Sequence, residues 1–379
     1  MKPEEKILIV REKLLSMYVE RERVIDSVLA SLLSGEPAVL VGPPGTAKTG
    51  IIESLSRLVR ARYFYYLLTR FTEPDEILGP IDIEALRRGV YKRIVRGRLP
   101  DSEIVFLDEV FKASSAIRNV LLDIIMYRRV MVGGEYVRIP MLTLYTACNE
   151  VSRDSEDAGF YDRLTIRVFH EFVSMNSWRQ LIEVGVKLLN LDSNGLEPIM
   201  DSSEVKMLQG KAYRLALEAS GDKSLVNKYL EVLSELQSKG VVLTDRRKVK
   251  TLLVAAGFSV LFNEDRVTPD SLADAILVVA PSSREDVQVV EEVLTRAGLH
   301  SYVYNLRRLQ TIAAELRNLR ERLESMPCPA NARALEKTLS VAKALVDRAR
   351  GSIRLKPYVG DVVREIEESE KALEKRSVL

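Results

Sequence analysis

The chain has 379 residues, 46% of them hydrophobic and 29% charged, and its 56 basic against 54 acidic side chains leave a formal net charge of +2. This length allows two or three domains that each bury a core, while the near-balance of charge excludes a global field for nucleic acid or membrane, so such a partner must be argued from a local surface. Cys148 and Cys328 are too few for a disulfide framework, the charged start Met1-Lys2-Pro3-Glu4-Glu5 lacks a signal-peptide core, and no apolar stretch reaches membrane-spanning length; the expectation is a cytoplasmic protein without membrane insertion.

From Glu4 to Leu33, apolar residues at helical spacing predict one or two amphipathic helices, stopped by Ser34-Gly35-Glu36-Pro37. Val39-Leu40-Val41 then reads as a buried strand. It runs into Gly42-Pro43-Pro44-Gly45-Thr46-Ala47-Lys48-Thr49, the spacing of a phosphate-binding loop, and Ile51, Ile52, Leu55 and Leu58 predict the helix behind it. The chemistry needs that context. Two glycines let backbone approach phosphate oxygens, helix N–H groups and the helix dipole face the anion, Lys48 adds a point charge, and the Thr49 hydroxyl suits Mg²⁺.

Tyr63-Phe64-Tyr65-Tyr66-Leu67-Leu68 predicts a second strand, and strand, helix and strand in succession favour a parallel sheet covered by helices. An insertion follows, most basic at Arg87, Arg88, Lys92, Arg93, Arg96 and Arg98; it reads as a solvated face or as a loop for acidic or phosphate-bearing partners. The third strand, Ile104 to Leu107, ends in Asp108-Glu109 at the sheet edge where ligands bind in doubly wound folds. There Asp108 can hold Mg²⁺ and Glu109 can orient water. A helix over Ala113 to Met126, a hairpin around Gly133-Gly134 and a fourth core strand, Met141 to Ala147, bring Asn149 to the same edge, where its amide can position the water.

Ser177 to Gly257 is helical in pattern, with Leu181, Val184, Leu188, Leu230, Leu233 and Leu236 as expected apolar stripes, and Thr268-Pro269-Asp270 opens a further helix. From Val303, Leu309, Ile312, Leu316, Leu319, Leu323 and Met326 form a coiled-coil seam, ended by Pro327-Cys328-Pro329 and answered by a second helix over Ala334 to Arg350, so this region reads as a helical hairpin. Gly360-Asp361 begins the last helix. His170, His300 and Trp178 form no metal or nucleophile constellation.

The combined pattern resembles AAA+ ATPases of the MoxR group, and within it the RavA subgroup. The resemblance is carried by Gly42 to Thr49, Leu68-Thr69-Arg70-Phe71-Thr72-Glu73-Pro74-Asp75-Glu76 with Gly79-Pro80, Ile104 to Lys112, Ala116 to Leu122, Asn149-Glu150, Tyr161-Asp162-Arg163-Leu164 and Thr244-Asp245-Arg246-Arg247, over roughly Tyr18 to Val279. It implies an α/β P-loop NTPase (AAA+) core with a parallel sheet over 1–172, including a helix-2 insert at 79–98 and a pre-sensor hairpin at 128–139, then an all-α lid over 173–284 and a C-terminal helical hairpin region over 285–379. Residue by residue it implies that Gly42 to Thr49 bind ATP or ADP and that Thr49 and Asp108 hold Mg²⁺. Glu109 and Asn149 serve the attacking water, Arg163 is the finger offered to a neighbouring subunit with Arg167 as competitor, and Arg246 is the second sensor with Arg247 as competitor. Tyr127 stands where relatives usually carry an acid, and Leu164 where they usually carry Phe.

The implied function is an ATP-hydrolysing, chaperone-like remodeller or assembly factor for protein complexes, a homo-oligomer and expected hexamer, with a von Willebrand A domain protein as possible partner. Two rivals stand beside it: a nucleic-acid-dependent AAA+ motor using the basic insert 87–98, and a P-loop kinase of a small molecule that needs one subunit alone.

Overall fold

The structure, a computed structural model, describes residues 1–132, 134–151, 155–189, 195–299, 302–326, 328–350, 355 and 359–377. Contacts divide the chain into two compact units, Met1–Gly298 and Leu299–Leu379. In the first, helices α1 (Pro3–Met17) and α2 (Glu22–Ser34) precede strand β1 (Ala38–Val41). Gly35 closes α2 at a φ of 71°, in the left-handed region where a residue without Cβ is at ease. After α3 (Lys48–Leu58) and β2 (Tyr63–Leu67), the insertion folds into the short helices α4 (Pro74–Leu78) and α5 (Ile83–Arg87). The chain continues through β3 (Ile104–Asp108), α6 (Ser115–Tyr127), the hairpin β4 (Arg129–Val132) and β5 (Glu135–Arg138), β6 (Thr143–Cys148), α7 (Ser155–Arg163) and β7 (Ile166–Phe169). Gly133 of the hairpin turn lies outside the described residues.

The core is a five-stranded sheet in the order β2-β3-β6-β1-β7, parallel throughout. Strands β1 and β6 are buried along their whole length, as two covered faces require, whereas edge strand β2 alternates. Strand β7 adds a fifth member to the four read from the sequence. Arg167 breaks its apolar run, yet that side chain is only 1% exposed, because carbonyl oxygens and one hydroxyl around it accept its N–H groups.

Helices α8 (Trp178–Leu189), α9 (Ser202–Gly221), α10 (Lys223–Ser238), α11 (Asp245–Leu261), α12 (Pro269–Val279) and α13 (Arg284–Arg296) complete the first unit. Thr244 caps α11 by accepting from the Arg247 N–H, and Thr268 caps α12 by accepting from Ser271. Helices α9 and α11 pack on α2, and α12 on β7, so α2 is buried nearly all round, its Asp26, Ser27 and Ser31 included. The expected lid therefore does not separate from the sheet layer, and α13, packed on α10 and α12, falls before the division at 298/299 rather than after the expected boundary at 284. Two stripes also differ from expectation. Leu181 on α8 is exposed, with Val184 and Leu188 half-buried, and α10 buries Leu225, Tyr229, Val232 and Leu236 while Leu230 is exposed.

In the second unit, α14 (Tyr302–Ser325) and α15 (Pro329–Arg350) form the expected hairpin, with Leu309, Ile312, Leu316 and Leu323 buried and Met326 exposed. Helix α16 (Val359–Ser377) packs on both and makes a three-helix bundle; its Glu365 accepts from Arg317 at 2.6 Å and Arg320 at 3.2 Å. No helix among the described residues is long and apolar enough to cross a membrane.

The closest approach of α11 to α2 is set by Gly257, where an added Cβ would lie 2.8 Å from the Ala30 carbonyl oxygen. Gly257→Ala is expected to destabilise the first unit by about 1–3 kcal/mol through overpacking, against a helix-propensity gain of about 1 kcal/mol. Gly210→Ala on α9, which meets nothing within 4 Å, should keep that gain. Thermal denaturation of the two variants reads the sign; a stabilised Gly257→Ala would contradict this packing.

Candidate active site

The carboxyl ends of β1, β3, β6 and β7 open on one edge of the sheet, and each delivers a polar element there. From β1, residues 42–47 form a loop into α3. Gly45 adopts a φ of 77°, which its lack of a side chain permits, and Ala47 reaches 66°, uncommon for a residue with Cβ. Gly42 is required for a different reason: an added Cβ would lie 2.7 Å from both Nε2 and the carbonyl oxygen of His170. The Lys48 ammonium turns onto its own loop, donating to the Gly42 carbonyl at 2.7 Å and the Pro43 carbonyl at 3.0 Å. Burial lowers its pKa, while Asp108, Cys148 and Glu109 nearby oppose that shift. Thr49 follows as the second residue of α3, half-buried.

From β3 come Asp108 and Glu109. Burial raises the Asp108 pKa, although its Oδ1 accepts the Glu109 N–H at 2.9 Å. Glu109 is in the left-handed region at a φ of 54°, a strained conformation of the kind that recurs at sites where a side chain must be aimed. From β6, Asn149 Nδ2 donates to Glu109 Oε1 at 3.0 Å, so the structure joins these two residues, 40 positions apart in the chain. Lys112 lies 3.5 Å from the other Glu109 oxygen. Beside the loop opens a cavity of about 920 Å³ whose walls include Pro43, Pro44, Asn149, Tyr161, Phe172 and Arg284.

The glycines, the buried lysine and the helix start make a cradle for phosphate oxygens. Thr49 and Asp108 offer one hydroxyl and one carboxylate, the sparse oxygen set that suits a cation keeping most of its waters, as Mg²⁺ does. His170 was missed by the reading of the sequence. A lone histidine behind an unrecognised strand carries no motif, and only the fold sets it under the phosphate loop, with Nε2 2.8 Å from Thr46 Oγ1.

The arginine candidates separate clearly. Arg167 is buried within its own chain, stacked 3.9 Å over the Tyr161 ring and donating to the carbonyls of Tyr161, Leu164 and Pro281. Arg247 is 2% exposed and donates to the carbonyls of Val279, Ala280 and Pro281. Burial pushes its pKa down to about 9. Neither side chain can reach outside the protein. Arg163 ends α7, half-buried, with Nη1 on the Gly159 carbonyl at 2.7 Å and Nε unpartnered among the described residues. The acids that could have claimed it are taken: Asp157 pairs with Arg118, and Asp162 pairs with Arg246 at 2.6 Å and accepts from Thr244 at 2.8 Å. Arg246 and Arg163 thus stand at one corner.

Within the insertion, Arg93 is consumed by Asp75 and the Gly79 carbonyl and Arg98 by the Glu76 carbonyl, leaving Arg87, Arg88, Lys92 and Arg96 exposed. Tyr127 stacks against the Arg129 guanidinium at 4.5 Å, and the Tyr136 ring meets the same guanidinium at 3.7 Å, both cation–π contacts.

The chain is similar to proteins of several organisms. Residues 5–210 match the family described as the MoxR domain in the MoxR-vWA-beta-propeller ternary systems. An uncharacterised protein of Methanocaldococcus jannaschii is 33% identical over 265 residues, 69% of this chain and 68% of that protein. A second from the same organism is 34% identical over 254 residues, covering 66% of this chain and 64% of its own length. Chaperone MoxR1 of Mycobacterium tuberculosis is 25% identical over 173 residues, 44% of each chain. Among solved structures, a candidate ATPase from Cytophaga hutchinsonii superposes with a TM-score of 0.62 at 16% identity, over 77% of this chain and 94% of that one, which speaks for the fold alone. The phosphate loop, the Asp108-Glu109 strand end, the parallel sheet and the match over more than half of its length together place the chain in the MoxR family, on an AAA+ fold.

Proposed function

We propose that the chain hydrolyses ATP between adjacent copies of itself, as a ring that remodels or assembles protein complexes. The observation that carries this reading is the convergence at one sheet edge of Lys48, Asp108 and the Glu109–Asn149 pair, with no partner acid for Arg163 among the described residues of its own chain. In it, residues Gly42 to Thr49 hold the triphosphate, and Lys48 leaves its loop carbonyls for the β- and γ-phosphates. Thr49 and Asp108 hold Mg²⁺, which offsets phosphate charge when bound. Glu109, aimed by its left-handed backbone and by Asn149, takes the proton of the attacking water.

A loose phosphoryl-transfer transition state spreads negative charge over equatorial oxygens, and an arginine from outside the pocket can meet it. Arg163 is the candidate, and Arg246, held beside it by Asp162, joins it at the same corner as the second sensor. This makes hydrolysis conditional on assembly. A hexamer, a von Willebrand A domain partner and the RavA-like placement extend the same reading by resemblance; the description of the matched family supports the second of these. A second reading, a nucleic-acid-dependent motor, is favoured by the exposed Arg87, Arg88, Lys92 and Arg96 alone. It requires binding to DNA or RNA that falls steeply as salt rises.

Lys48→Ala should abolish ATP binding, whereas Glu109→Gln should bind ATP and turn over at least about 100-fold more slowly, checked by calorimetry and phosphate release. Mixing inactive Arg163→Ala with inactive Lys48→Ala protein should restore part of the hydrolysis, because one interface then has both an intact cradle and an intact arginine; no recovery would favour a single-subunit kinase or hydrolase. In thermal denaturation Arg163→Ala should shift stability by no more than about 0.5 kcal/mol, while Arg167→Ala, which leaves several buried carbonyls unpaired, should cost about 3 kcal/mol or more.

A further inference from the structure

His170 meets the end of β1 and the phosphate loop that follows it at three points. Its N–H donates to the Val41 carbonyl at 3.0 Å, which continues the β1–β7 ladder by one residue beyond the strands. Its ring forms the floor under Gly42, close enough that no side chain fits there. Its Nε2 lies 2.8 Å from Thr46 Oγ1, and that hydroxyl is also 2.8 Å from the Pro43 carbonyl. The main-chain side of Thr46 is held too. Arg21, 6% exposed, reaches the Thr46 carbonyl at 3.4 Å and the Glu171 carbonyl at 3.1 Å. The far side of His170 is anchored by Arg284, whose Nη2 donates to the His170 carbonyl at 3.2 Å.

We propose that His170 is a positioning residue for nucleotide binding, a strut that holds the turn Pro43–Thr46 in its phosphate-receiving shape through the Thr46 hydroxyl. The inference rests on the nucleotide reading above and adds a residue to it. Two arrangements of protons satisfy the geometry. Either Nε2–H donates to Thr46 Oγ1, whose own proton goes to the Pro43 carbonyl, or the Thr46 hydroxyl donates to Nε2; both keep the same pair of atoms together. The ring stays neutral in either, since burial, with Lys48 and Arg21 nearby, pushes its pKa down to about 4. The Pro43 carbonyl also accepts from Lys48, so a turn released from His170 would free the lysine's resting place as well. A loop ordered before the ligand arrives loses less on binding, so the effect belongs in affinity and KM rather than in kcat.

The test compares two amides in the full chain. In His170→Gln the side-chain amide stands where Nε2 was, and as donor or acceptor it can meet Thr46; in His170→Asn it stands where Nδ1 was and cannot. ATP and ADP affinities by calorimetry should change less than about twofold in His170→Gln and weaken about tenfold in His170→Asn, the loss of one hydrogen bond, with kcat at saturating ATP changed less than about twofold. Thr46→Val should weaken binding similarly, and His170→Asn in the Thr46→Val background should add nothing. Equal losses in the glutamine and asparagine variants, or additive losses in the double variant, would reduce His170 to a packing residue and overturn the proposal. Wild-type protein that binds neither ATP nor ADP would overturn the nucleotide reading itself, whereas binding that all His170 variants share would overturn this inference alone.

Discussion

The constraint on which the rest depends is the pairing of β1 with its two neighbours. Val41 is aligned with Cys148 on one side and with Phe169 on the other, so the chain leaves the sheet at Gly42, Asn149 and His170 on one level. Strand β3 is in step with β6, Leu107 beside Thr146, so Asp108 and Glu109 stand within two residues of that level. In a strand buried on both faces a slip of one residue would exchange every side chain between the two helical layers, so the register is strongly held. The site is therefore an outcome of core packing. Its polar residues need no contacts of their own to arrive together, and the Glu109–Asn149 hydrogen bond only refines what the register has done.

Two buried guanidiniums make the second layer of the argument. Arg167 on β7 and Arg247 on α11 both reach the stretch from Val279 to Ser282, whose carbonyls and hydroxyl accept their N–H groups. A buried cation is costly unless its donors are met, and here oxygens at and after the end of α12 meet most of them, Arg247 Nε alone of the two guanidinium groups being without a partner among the described residues. The consequence reaches the surface. With β7, α7 and α11 tied to one stretch of chain, Asp162 and Arg246 are brought within 2.6 Å, and Arg163 beside them in sequence bonds, among the described residues, within its own helix. A half-buried arginine is in this way separated from two that the fold buries.

The projecting elements follow the same economy of partners. The insertion is moored at its base by Arg93 and Arg98, and the cations nearer its tip carry no ion pair among the described residues. On the hairpin, the Arg129 guanidinium lies over the rings of both Tyr127 and Tyr136. The charge-rich segments of the chain thus divide into cations that brace an element and cations that face outward, a division that composition cannot make.

Local pattern by itself determined much of this protein. The phosphate loop, the strand ending in Asp108-Glu109, the caps at Thr244 and Thr268, the stop at Gly35 and the alternate spacing of Leu309 to Leu323 are short-range signals, each fixed by backbone geometry or helical period within a few residues. What lay beyond reach depends on groups distant in the chain. Strand β7 was hidden because Arg167 looks like surface until the Pro281 carbonyl and the Ser282 hydroxyl, 114 and 115 positions away, are in place. The stripe on α10 was read from Leu230 and Leu233 when Tyr229 and Val232 are the better buried, because a helix with apolar residues on adjacent positions has two candidate faces and only its packing partner selects one. The burial of Arg167 beside a half-buried Arg163, the packing of the helices after β7 into one compact unit with the sheet layer, and the place of His170 beneath Gly42 were likewise decided by tertiary structure alone, since burial and hydrogen-bond partners are properties of the folded chain and not of any window of it.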